Sequence, residues 1–107
     1  MMWRRYPGRL AHLESDHSQP LMEQGVRVGT VWTARCGRLL RLWWDDRPWQ
    51  AEGVDSDELR EEHPRGWCLR CAYWAARDAL CVVGWGYDLF VREVYAGRWP
   101  ITVGGRS

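Results

Sequence analysis

Two cysteines separated by two residues, Cys68 and Cys71 in Trp67-Cys68-Leu69-Arg70-Cys71, are the part of this chain best suited to chemistry. On a tight turn or the first turn of a helix, both thiolates face one way and grip one side of a metal ion, half of a tetrahedral site. Two more ligands are needed. Cys36 is the natural third, because in Cys36-Gly37 the glycine lets the chain turn beneath a bound metal. Four residues are candidates for the fourth: His12, His17, His63 and Cys81. If residues 72–81 form one helix, Cys81 lies roughly 15 Å from Cys71. Two sulfurs on one zinc ion are only about 4 Å apart, so Cys81 then reads as a small core hydrophobe. His17 lies in a polar loop and His63 before Pro64 in an acidic stretch. His12 lies on a short apolar segment able to pair beside Cys36 and is the preferred fourth ligand.

The elements that must position these residues follow from the patterning. Trp3–Tyr6 and Arg9–Glu14 read as two short strands around Pro7-Gly8. Ser15 to Gly25, polar and interrupted by Pro20, reads as a loop. Val26 to Arg35 alternates as a half-buried strand does, and Arg38 to Trp44 resumes after Cys36-Gly37, which predicts a hairpin with Cys36 at its tip. Residues 45–64 read as an acidic loop or insertion, with at most a turn or two of helix over Asp55–Glu62. Ala72 to Leu80 is built of helix formers, with Tyr73, Ala76 and Leu80 on one face. Asp88 to Ala96 leans to helix with Asp88 as cap, against a strand reading from Phe90, Val91, Val94 and Tyr95. The tail from Pro100 reads as a final strand. The expected fold is a single small β-rich α+β domain over 1–107, a β-hairpin plus one helix on a structural metal site.

Composition narrows the function. The 107 residues carry a net charge of +1, and all fifteen basic residues are Arg. Lys and Asn are missing and Phe and Ile are scarce, the mark of a GC-rich genome, so abundant Arg and nine Trp are weak functional signals. Residues 1–44 set seven Arg against Glu14, Asp16 and Glu23; residues 45–63 set eight acids against Arg47 and Arg60; residues 64–107 are again mildly basic. That is not the single-sign field of a dedicated nucleic-acid binder. No apolar run reaches the roughly 18 residues of a membrane span, and the N-terminus lacks a signal-peptide core. A cytoplasmic protein with reduced thiols is expected, its Cys serving as ligands for Zn2+ or as buried thiols. No βαβ pattern supports a redox Cys-x-x-Cys. The acidic run lacks calcium-loop spacing, and no catalytic signature is present. No enzyme activity and no small-molecule substrate are expected. Trp32, Trp43, Trp44, Trp49, Trp67, Trp74 and Trp85 read chiefly as core or interface. Adjacent strand residues point to opposite faces, so one of Trp43 and Trp44 is exposed as a partner contact. Arg27, Arg35, Arg38 and Arg41 form a solvated basic strip, of which Arg38 and Arg41 are candidate contacts.

Arg9-Leu10-Ala11-His12, Thr33-Ala34-Arg35-Cys36-Gly37 and Cys68-x-x-Cys71 running into a helix together resemble the small His–Cys–Cys-x-x-Cys zinc-finger proteins of actinobacteria and their phages. The resemblance covers roughly residues 3–80. It implies that His12 lies in a short N-terminal strand and completes a zinc site. A second resemblance joins Trp32-x-x-x-Cys36, Cys68-x-x-Cys71, Cys81 and Gly84-Trp85-Gly86 to WhiB-like proteins. It implies an iron–sulfur cluster on four Cys and contact with a sigma factor. Nine residues separate Cys71 from Cys81 where that family has five. The function expected is a non-enzymatic zinc-binding module that meets a protein partner in regulation. A nucleic-acid-binding zinc finger in transcription, a WhiB-like regulator and a phage virion or assembly component are the alternatives.

Overall fold

The alternating run 26–34 and the run after Cys36-Gly37 form the expected hairpin. In the computed structural model, which describes residues 2–55, 65–79 and 84–97, these are strands β3 (Val26–Ala34) and β4 (Leu39–Trp43), preceded by β1 (Trp3–Arg5) and β2 (His12–Glu23). Strand β5 (Glu52–Gly53) and helices α1 (Leu69–Asp78) and α2 (Tyr87–Tyr95) complete the described elements. The strands make one antiparallel sheet in the order β4-β3-β2-β1-β5. The class is α+β, as expected.

Ser15 to Gly25 is not a loop. Strand β2 runs on to Glu23, opposite Val26, and the connection is Gln24-Gly25 with φ of 51° and 78°. Two left-handed residues make the tight turn whose twist matches paired strands. The strand is illegible in sequence because Asp16 to Pro20 are all exposed, so no face alternates. Pro20 is tolerated because β1 reaches only His12 and Leu13, leaving this half of β2 at the edge of the sheet. Between Glu14 and Ser18 the register slips in a bulge. Ser15 stitches it, its Oγ accepting from His17 N at 3.1 Å and donating to Thr33 O at 2.6 Å. In β3, Gly29 lies opposite Trp43, where a Cβ would collide with Leu42 O and sit 2.8 Å from Trp43 Cα.

The segment between β4 and β5 does more than a loop would. Ala51 is wholly buried, and its N–H donates to Arg41 O at 2.8 Å. Gln50 Oε1 accepts from Trp43 N at 2.9 Å, and Tyr6 Oη accepts from Arg41 N at 2.8 Å. The outer edge of β4 is therefore satisfied by Tyr6 and by a strap whose next two residues pair with β1. The strap bridges both edges of the sheet.

The helix expected from Ala72 forms as α1, beginning three residues earlier at Leu69 and running to Asp78 with Ala79 as its C-cap. Leu80, Cys81, His63, the helical turns foreseen after Asp55 and the strand foreseen from Pro100 lie outside the described residues. The lean to helix over 88–96 holds in α2, although Gly86 and not Asp88 occupies the cap position. Phe90 and Val94, one turn apart, pack against Ala72, Tyr73 and Ala76 of α1. Tyr73 Oη donates to Trp85 O at 2.6 Å and its ring meets Phe90 edge-on at 5.3 Å. A second cluster, Leu13, Ala34, Leu40, Ala51, Cys68 and Cys71, lies between sheet and α1. Trp3 packs against both. No helix among the described residues is long and apolar enough to cross a membrane.

Candidate metal centre

Backbone pairing brings four distant side chains to one point. His12 opens β2 opposite Arg4 of β1. Ala11, just before it, forms a parallel bridge to Trp67, with Ala11 N–H donating to Gly66 O and Cys68 N–H to Ala11 O, each at 2.8 Å. That one ladder step lays Cys68 beside His12. Cys68 is the N-cap residue of α1 and Cys71 lies on its first turn, facing inward. On the other side, Gly37 turns with φ 97° and donates to Ala34 O, while Arg35 N–H donates to Leu13 O at 2.9 Å. The hairpin tip is thereby pinned over β2 with Cys36 above His12. Arg35 also reaches across to pair with Asp78 at the end of α1.

One ligand atom from each of His12, Cys36, Cys68 and Cys71 lies within 4.8 Å of all the others. His12 Nδ1 is 3.3 Å from Cys36 Sγ and 3.9 Å from Cys71 Sγ. Tetrahedral metal–sulfur bonds of about 2.3 Å give ligand–ligand edges of about 3.8 Å. The donors thus have the size and number of a four-coordinate shell, and they can hold a metal ion. His12, Cys68 and Cys71 are buried and Cys36 half-buried. The three cysteines are free thiols.

Electrostatics give the same reading. A hydrogen bond from Cys71, with a smaller contribution from His12, draws the Cys68 thiol down to about 3 against the cost of burial. The hydrogen bond to Cys68 and then burial push Cys71 strongly up. Cys68 and Cys71 thus share one negative charge between them, since a second would sit beside the first in a poorly solvated place. The start of α1 adds the positive end of its backbone dipole. A cation held between the two thiols would let both of these sulfurs ionise together.

Of the other candidates for the fourth ligand, His17 is exposed on β2, five residues or about 16 Å of strand from His12. The basic strip divides. Arg27 bonds Gly29 O and Thr30 Oγ1, Arg35 pairs with Asp78, and only Arg38 and Arg41 share a surface, a cleft they form with Tyr6, Arg9, Leu39 and Trp49. Trp43 is half-buried and donates Nε1 to Glu23 at 2.9 Å, whereas Trp44 is 66% exposed. The core reading suits Trp32, Trp67 and Trp85, but Trp44, Trp49 and Trp74 are exposed. Tyr6 and Arg9 had no sequence signal as surface contacts, because the strap that brings Trp49 to them is some forty residues away. A scan against protein-family models, a search of curated proteins and a search of solved structures each find no match to this chain.

Proposed function

We propose that the chain is a non-catalytic binding module, folded around one structural zinc ion, that acts by contacting a protein partner. The observation that carries this is the closed four-ligand shell of His12, Cys36, Cys68 and Cys71. Four protein ligands leave no position for a substrate or an activated water, so the metal organises the fold and does no chemistry. One imidazole and three thiolates form a donor set suited to zinc. The 4.8 Å span suits one ion better than a cluster carrying its own irons and sulfides, which speaks against the iron–sulfur alternative.

Trp44 is the residue we assign to the partner. It follows β4 at the end of the sheet remote from the metal, where Met22 and Val26 are also exposed at 52% and 62%. Large exposed aromatics beside aliphatic groups are where binding energy concentrates in interfaces. The resemblance to actinobacterial and phage zinc fingers makes regulation in such a host the proposed setting.

Metal analysis of protein purified without oxygen is expected to find one zinc per chain; iron with sulfide would sink the zinc assignment. A tagged wild-type chain is expected to retain one protein at high salt that Trp44→Ala loses. Retention by Trp44→Ala would remove Trp44 from the contact.

A further inference from the structure

The cleft beside the metal centre, with a volume of about 470 Å³, is lined by Tyr6, Arg9, Arg38, Leu39, Arg41 and Trp49, with His12 reaching it from behind. It brings together cations the rest of the fold leaves available. Among the described residues Arg4, Arg35 and Arg47 are each paired with a carboxylate. Arg9, Arg38 and Arg41 have no carboxylate partner there, and no acidic residue lines the cleft. A divalent metal with three thiolates carries a charge of −1, so the cleft keeps a net positive charge of about two even beside a filled centre.

The second feature is aromatic. Trp49 is 50% exposed and stacks on Tyr6, ring centroids 5.2 Å apart and planes 15° from parallel. Tyr6 is fixed in turn, its Oη accepting from Arg41 N at 2.8 Å and donating to Leu39 O at 3.4 Å. The platform is held in place by the strand that presents Arg41 and that Arg38 immediately precedes. The Arg9 guanidinium lies over the Trp49 ring, 5.8 Å from its centre, so a cation and the indole are presented together.

We propose that this cleft binds single-stranded nucleic acid, taking backbone phosphate on Arg9, Arg38 and Arg41 and a base against Trp49. An anionic groove ligand explains three unpaired arginines. A ligand that is also aromatic explains why a large indole is held half in solvent among them. An acidic peptide would use the first feature and leave the second idle. The small local charge limits the contact to one or two nucleotides and leaves base identity largely unread. The cleft takes Arg38, Leu39 and Arg41 from the first half of β4 and the residue before it, whereas Trp44 follows the end of that strand, so the proposed protein contact and this one use different side chains.

The test is anisotropy of a fluorescein-labelled eight-nucleotide oligothymidylate with the metal-loaded full chain. Neutralising two or three phosphates predicts a log–log salt slope of about −1.4 to −2.1, which weakens binding roughly 7- to 18-fold between 50 and 200 mM salt. Arg38→Ala with Arg41→Ala should flatten the slope by about 1.4, and Trp49→Leu should weaken binding at least about fivefold at unchanged slope. Both variants should keep wild-type circular dichroism and metal content, since neither touches a ligand. Absence of saturable binding at 50 mM salt overturns the proposal. So does displacement by an octaglutamate peptide together with indifference to Trp49→Leu, which assigns the cleft to an acidic protein segment. Neither failure alters zinc content or the Trp44 contact, so the two readings fall separately.

Discussion

Replacing Cys71 by alanine separates a metal-held core from an ordinary one. Cys71 is fully buried, and it belongs to a cluster whose other members are Leu13, Ala34, Leu40, Ala51 and Cys68. Only Leu40 among these is a large and completely buried side chain. Two leucines contribute about 3–6 kcal/mol of burial, little against the cost of ordering the loops that carry Cys36 and Cys68. A structural zinc site contributes an apparent 10–16 kcal/mol in small fingers, about as much as a whole domain's net stability. Loss of one ligand should therefore cost at least about 4 kcal/mol with zinc present. In chelator the same change trades a small thiol for a methyl group, and it removes the sulfur that competes with Cys68 for negative charge. There the expected cost is at most about 1 kcal/mol. Urea unfolding followed by tryptophan fluorescence, with and without chelator, reads both numbers. If the metal-free wild type is already unfolded, the two proteins coincide in chelator and the expectation is met. An equal cost in both conditions would refute the reasoning and leave Cys71 as a packing residue.

Three further outcomes are expected. Phe90→Ala should cost about 3–5 kcal/mol in denaturant unfolding, because Phe90 is wholly buried and is the main large side chain joining the helices. Zinc should be released to a colorimetric chelator as pH falls from 7 to 4, and not as it rises, because thiolates and imidazole must stay unprotonated to bind. Asp78 is the third: its hydrogen bond from Arg35 holds its carboxyl below the usual range. That contribution is complete above the ordinary carboxylate range and lost as pH falls through the depressed folded value. Carbon-detected NMR titration should find the depressed value, and Asp78→Asn should speed metal loss a few-fold, since Arg35 adjoins Cys36.

The Cys-x-x-Cys on a helix start and the hairpin with a cysteine tip were legible because local spacing and turn chemistry determine them. The choice of His12 was legible only in outline. What seats it is the parallel bridge of Ala11 to Trp67, a pairing across more than fifty residues that leaves no periodicity behind. The outer half of β2 was misread for a different reason: its side chains are solvated on both faces, so only Gln24-Gly25 announces the hairpin. The strap was hidden likewise, because an acidic stretch shows its charges while the buried Ala51 is silent.

That strap also covers a strand edge to which a second chain would otherwise have access. Strand β4 would offer the unbonded N–H of Arg41 and Trp43 and the carbonyl of Arg41 to any extended neighbour if Tyr6, Gln50 and Ala51 did not occupy them. Shortening the acidic stretch to trim charge would thus uncover a sticky ribbon, and the first sign would be concentration-dependent oligomers well before any loss of the fold. The residues that look most dispensable in the sequence are the ones that close the outer edge of β4.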